Sequence, residues 1–162
     1  MDMAYESLTY QILKEDGGFE IRRYDPYVIM KVKGESNRGF GVLFDYISGS
    51  NAKNQKIKMT VPVLTDVEAS DYIAFTMPKA VFGDAPAPTN PHVQIVPIPA
   101  KTYLAMRFKG SMRQSNRAVE ALREYAKAKS LRLIGEPVLL RYQGPFMPNF
   151  LKDNDVIIEI EM

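Results

Sequence analysis

Two stretches of this chain alternate between apolar and charged positions in the same way. Tyr27 to Gly34 reads YVIMKVKG, and Tyr103 to Gly110 reads YLAMRFKG. Val28, Met30 and Val32 fall on one face of the first, matching Leu104, Met106 and Phe108 in the second. Lys31 and Lys33 match Arg107 and Lys109 on the opposite face. A period of two marks a strand covered on one side. A second correspondence, Pro62-Val63-Leu64 against Pro137-Val138-Leu139, follows at nearly the same spacing. One such match can arise by chance, but two in register argue for an internal repeat, roughly 27–77 against 103–161.

Between the matched strands each half carries a helical period. In the first, Phe40, Leu43, Phe44 and Ile47 recur at three- and four-residue spacing. Ser36 or Asn37 is placed to cap the start and Gly49 to stop the end. Gly39 and Gly41 fall early in this helix, where each costs about 1 kcal/mol relative to alanine. In the second half, Ser111 or Ser115 opens a longer stretch with Ala118, Val119, Leu122 and Ala126 as its apolar stripe. Its Glu120, Arg123, Glu124, Lys127 and Lys129 face water.

A strand pair follows each helix: Ile57 to Thr65 with Tyr72 to Met77, then Val138 to Gln143 with Val156 to Glu161. A hairpin precedes the first copy, Leu8 to Leu13 and Phe19 to Tyr24, turning at Glu15-Asp16-Gly17-Gly18. The proline-rich stretch Pro78 to Pro91 links the halves. Gln143 to Asp155 joins the last two strands and carries Phe146, Met147, Phe150 and Leu151. Four large apolar groups in one loop either pack as a cover or rim an apolar cavity. The expected product is one α+β domain over 1–162, built from duplicated strand–helix–strand–strand halves. Their strands form a curled antiparallel sheet, a distorted β-barrel, with two helices against it.

Composition narrows the function. Lys and Arg total 21 against 19 Asp and Glu, a net charge of +2 without any basic run, which argues against nucleic acid as a partner. There is no cysteine, hence no disulfide, thiol nucleophile, iron–sulfur cluster or covalent haem attachment. His92 is the single histidine, so a site with two histidine ligands needs two chains. No stretch approaches the roughly 20 apolar residues that span a bilayer, and the first ten residues lack the apolar run of a signal peptide. The default reading is a cytoplasmic protein without membrane insertion, monomeric by default.

Five segments, in order, resemble the SOUL/haem-binding family. FEIRRYDPYV at Phe19 to Val28 is similar to its opening signature, and LFDYISGSN at Leu43 to Asn51 to its first-helix ending. KIKMTVPVL at Lys56 to Leu64 is the most specific match; FTMPK at Phe75 to Lys79 and NPHVQI at Asn90 to Ile95 follow. The resemblance implies a fold related to GyrI-like effector-binding domains and non-covalent binding of haem or another tetrapyrrole, a small hydrophobic ligand with no other metal. In members that coordinate iron, a histidine precedes the signature tyrosine. Here that position is Arg23, which stays protonated and cannot ligate iron. The implied site is an apolar cleft beside the first helix, lined by Phe40, Leu43, Phe44 and Ile47, with Met147 and Phe150 from the late loop. Arg23, Arg38 and Lys152 are its candidates for pairing with propionates.

Plainer readings stand beside each of these. Phe40, Leu43, Phe44 and Ile47 have the spacing of an ordinary core-facing helix. Arg23 fits a solvated strand residue, and His92 an exposed loop histidine rather than an axial ligand. An amphipathic, possibly cationic small molecule is the alternative ligand. A buried, unpaired glutamate would favour it, with Glu20 and Glu136 the residues to inspect. A protein–protein adaptor is a further alternative, supported if the late loop is apolar and exposed. Catalysis has little support: no carboxylate pair is placed by spacing, and G-x-S-x-G, GxGxxG and Walker motifs are missing. Hydrolases among GyrI-like domains keep it open by analogy alone.

Overall fold

The computed structural model describes residues 5–34, 36–68, 71–143, 148 and 151–162. In chain order the elements are β1 (Glu6–Ser7), β2 (Tyr10–Asp16), β3 (Phe19–Tyr24), β4 (Tyr27–Lys33), α1 (Ser36–Ile47), β5 (Thr60–Val61), β6 (Val63–Asp66) and β7 (Tyr72–Thr76). A 3₁₀ turn at Lys79–Val81 precedes β8 (Val93–Ile98), β9 (Lys101–Lys109), α2 (Met112–Ala128), β10 (Val138–Arg141) and β11 (Asp153–Glu159). The α+β class, the two helices and the strand–helix–strand–strand order of each half are as the periodicity predicts.

The described residues group into two compact units, one from 5–8, 26–65 and 71–99, the other from 9–25, 66–68 and 100–162. In the first unit the strand order is β6-β7-β4-β8, and in the second β2-β3-β9-β11-β10. All these pairings within a unit are antiparallel. The interleaving has a simple cause. β3 leads into β4 along the chain but pairs with β9, whereas β8 leads into β9 but pairs with β4. The strand that precedes each half thus belongs to the other unit.

The repeat extends to hydrogen-bond register. Met30 lies opposite Phe75 and Val32 opposite Ile73; correspondingly Met106 lies opposite Val156 and Phe108 opposite Asn154. The glycines that end the two copies match as well: Gly34 N–H donates to Asp71 O at 2.8 Å and Gly110 N–H to Lys152 O at 3.2 Å. Both glycines have positive φ, 113° and 131°, a conformation that a side chain resists.

One helix covers one sheet face in each unit. Around α1 the core contains Met30, Leu43, Tyr46, Ile73, Phe75 and Met77. Around α2 it contains Leu104, Val119, Leu122, Leu139, Val156 and Ile158. Ala118, Val119, Leu122 and Ala126 are the buried stripe of α2, as their spacing predicts. Ser111 is its N-cap, with Gln114 Oε1 accepting from the Ser111 backbone N–H at 2.9 Å. Gly49, at φ 122°, follows the end of α1.

Several strand boundaries differ from the sequence reading: the first hairpin arm, expected at Leu8 to Leu13, runs from Tyr10 to Asp16, because Gly17 and Gly18 alone, both at positive φ, make the turn. The stretch Ile57 to Thr65 holds two short strands separated at Pro62, which has no N–H to give a ladder. The loop expected to run to Asp155 ends earlier, because Asp153, Asn154 and Asp155 already belong to β11. Polar residues are tolerated there because cations lie opposite: Asp153 pairs with Lys109 at 2.6 Å and Asp155 with Arg107 at 2.9 Å.

Candidate ligand site

The residues expected to line one apolar cleft divide around α1. Leu43 and Ile47 are buried, 0% and 5% exposed, together with Tyr46, whose hydroxyl donates to Pro86 O at 2.5 Å. Phe40 and Phe44 are 39% and 51% exposed. They stack one turn apart, ring centroids 6.3 Å and planes 12° from parallel. Phe40 also meets the buried Phe75 edge-on at 5.0 Å. The three- and four-residue spacing is therefore real, but the helix turns only part of it to the core. Gly39 explains the rotation: a Cβ there would lie 2.5 Å from Ile73 Cγ2 and 2.9 Å from Val32 Cγ1, so α1 seats its glycine against β4 and β7. The sequence reading treated that glycine as a cost to the helix, whereas in the fold it is the point of closest approach.

Arg38 does not accompany the two phenylalanines. At 3.6 residues per turn it lies about 160° around the helix from Phe40 and about 120° from Phe44. On its own flank it lines a recess of about 430 Å³ with Val32, Lys33, Val42, Asn90 and His92. A second recess of similar size continues from Val42, Asn90 and His92 to Asp45, Ser50 and Thr89. Arg23 belongs to the second unit, where it is exposed and donates from Nη1 to Thr102 Oγ1 at 3.1 Å. Lys152, also in the second unit, is half-buried just before β11. Met147 and Phe150, the loop residues of the expected cleft, lie outside the described residues. Leu151, from the same loop, is 46% exposed.

Sequence reasoning missed a buried charge cluster in the second unit. Asp155 is fully buried and accepts from Arg22 at 2.9 Å, from Arg107 at 2.9 and 3.1 Å and from Tyr142 at 2.7 Å. Arg22, 2% exposed, also binds Glu20 at 2.7 Å and the Tyr24 hydroxyl at 2.9 Å, and its guanidinium stacks over Tyr10. Burial alone pushes the Asp155 carboxyl up, but the bonds from Arg107, Arg22 and Tyr142 outweigh it and hold the group below its ordinary range. Burial raises the phenols of Tyr24 and Tyr142. The available signal was cross-strand: the cationic face of YLAMRFKG needs an anionic partner, and DND supplies it.

This cluster bears on the alternative ligand. Glu20 is half-buried and paired with Arg22, while Glu136 is exposed. Asp155, the carboxylate that is buried, already has two guanidiniums. Neither glutamate is the buried, unpaired group that a cationic ligand would need.

The fold is that of a duplicated α+β protein that carries an exposed aromatic pair on its first helix. The family described as "SOUL heme-binding protein" matches residues 5–159, and the chain belongs to that family. No curated protein matches it in sequence. Among solved structures it is similar to the EcmrR C-terminal domain, at 11% identity and TM-score 0.65, covering 94% of this chain and 98% of that one. It is also similar to a hydrolase from Listeria innocua, at 8% identity and TM-score 0.64, covering 92% and 94%. At those identities the likeness concerns the fold. No helix among the described residues is long and apolar enough to cross a membrane.

Proposed function

We propose that this protein binds haem or a related tetrapyrrole reversibly, through apolar contact with the exposed face of α1. The observation that carries the proposal is the stacked, solvent-facing Phe40–Phe44 pair in a chain of the SOUL haem-binding family. Fully burying a phenylalanine is worth about 1.5–3 kcal/mol. Two rings already half covered therefore supply roughly 1.5–3 kcal/mol, against about 8 kcal/mol for micromolar affinity. The pair anchors a flat ligand, and the remaining contact comes from the surface around it. Arg23 stands in the family's histidine position, so the macrocycle is held without an axial ligand from that residue.

A hemin titration followed at the Soret band tests this reading with wild type and Phe44→Asp. One-to-one saturation in the wild type, weakened at least tenfold by the charge, supports it. Equal affinity for the two proteins would remove the helix from the site. Arg38→Ala leaves hemin affinity unchanged, because Arg38 lies on the other flank.

A further inference from the structure

The recess on the opposite flank of α1 has the chemistry of a second site. At one end Lys33, the last residue of β4, and Arg38, from the first turn of α1, are both exposed and line the same wall. Neither has an ion-pair partner among the described residues. His92 and Asn90 stand at the middle, and the Asn90 side-chain oxygen is taken up by the His92 backbone N–H at 2.8 Å, which fixes the turn that presents the imidazole. Asp45 lies at the far end, seven residues along α1 from Arg38, a rise of about 10 Å. The floor between them is Val42. Each recess holds about 430 Å³, within the range of small-molecule sites, and the two share Val42, Asn90 and His92. A concavity with two exposed cationic side chains at one end and an imidazole at its middle attracts an anion toward that end.

We infer that this recess binds the anionic group of a small molecule, a carboxylate or a phosphate, between Lys33, Arg38 and His92. The site is independent of the tetrapyrrole reading, because it uses the other flank of the helix and none of its aromatic residues. As the single histidine, His92 reports occupancy through one ring resonance.

The experiment follows the His92 ring signal and the backbone amides by NMR as sodium sulfate or sodium acetate is added, against sodium chloride at matched ionic strength. The expected result is saturable movement of the His92 ring signal and of amides in 33–42 and 89–93. A tighter response to sulfate assigns the site to phosphate-like groups, and to acetate, carboxylates. Lys33→Ala with Arg38→Ala weakens the response about tenfold or more, each charge near contact being worth about fivefold even in water. Asp45→Asn strengthens it about twofold, the effect of one repulsive charge at about 10 Å. Shifts that merely follow ionic strength, or saturation that survives the double variant, would overturn the assignment. Hemin affinity is measured on the same variants, so failure of either reading is seen separately.

Discussion

Replacing Asp155 with asparagine removes one charge while keeping nearly the same shape. In the native cluster the carboxylate receives Arg22, Arg107 and Tyr142. An amide has one acceptor oxygen, and its NH₂ would face guanidinium donors. Removing one partner of a buried pair costs about 3–5 kcal/mol, and Arg22, 2% exposed, cannot recover the loss from water. Arg107→Ala is the control: its side chain is 51% exposed, so solvent screens the pair and the loss is about 1 kcal/mol. With a urea m-value of about 2 kcal/mol per molar, the midpoint falls by about 2 M for Asp155→Asn and about 0.5 M for Arg107→Ala. Far-UV circular dichroism reads both. The pH dependence has a definite sign. A carboxyl held below its unfolded value, about 3.9, contributes full stability above that pH and loses it as pH falls through the folded value. The gap between wild type and Asp155→Asn therefore closes below about pH 4. A midpoint for Asp155→Asn within 0.3 M of wild type at pH 7, on the order of measurement error, would refute the reasoning.

Two glycines in α1 should respond oppositely to alanine. Gly39→Ala lowers the urea midpoint by about 1–3 kcal/mol of stability because its Cβ strikes Ile73 and Val32, whereas Gly41→Ala raises it by up to about 1 kcal/mol, having nothing within 4 Å. Leu43→Ala costs about 2–5 kcal/mol, measured the same way, while Phe44→Ala, half exposed, costs under about 1.5 kcal/mol and instead weakens hemin binding.

The repeat was legible because it is carried by strand alternation and by turn glycines, which are local features. The same holds for the α2 stripe and for β3, whose bounds coincide with the predicted hairpin arm. What stayed hidden was non-local. Nothing in the spacing of Phe40, Leu43, Phe44 and Ile47 says which of them faces the sheet, since the rotation of α1 is set by the approach of Gly39 to residues on β4 and β7. Asp155 looked like loop because its charge is compensated from β9 and β3, far away in sequence. The exchange of β3 and β8 between the two units likewise has no local signature. Arg38 shows the consequence for function: sequence put it beside the aromatic residues, and the helix carries it to the other flank.

The central claim is that a tetrapyrrole is held by aromatic contact at α1 without an axial histidine. Metal-free protoporphyrin IX tests it most directly, compared with hemin on wild type and Phe44→Asp by equilibrium titration. The account predicts similar dissociation constants for the two macrocycles and parallel loss of both in Phe44→Asp. Strong preference for hemin, or protoporphyrin binding indifferent to Phe44, would contradict it.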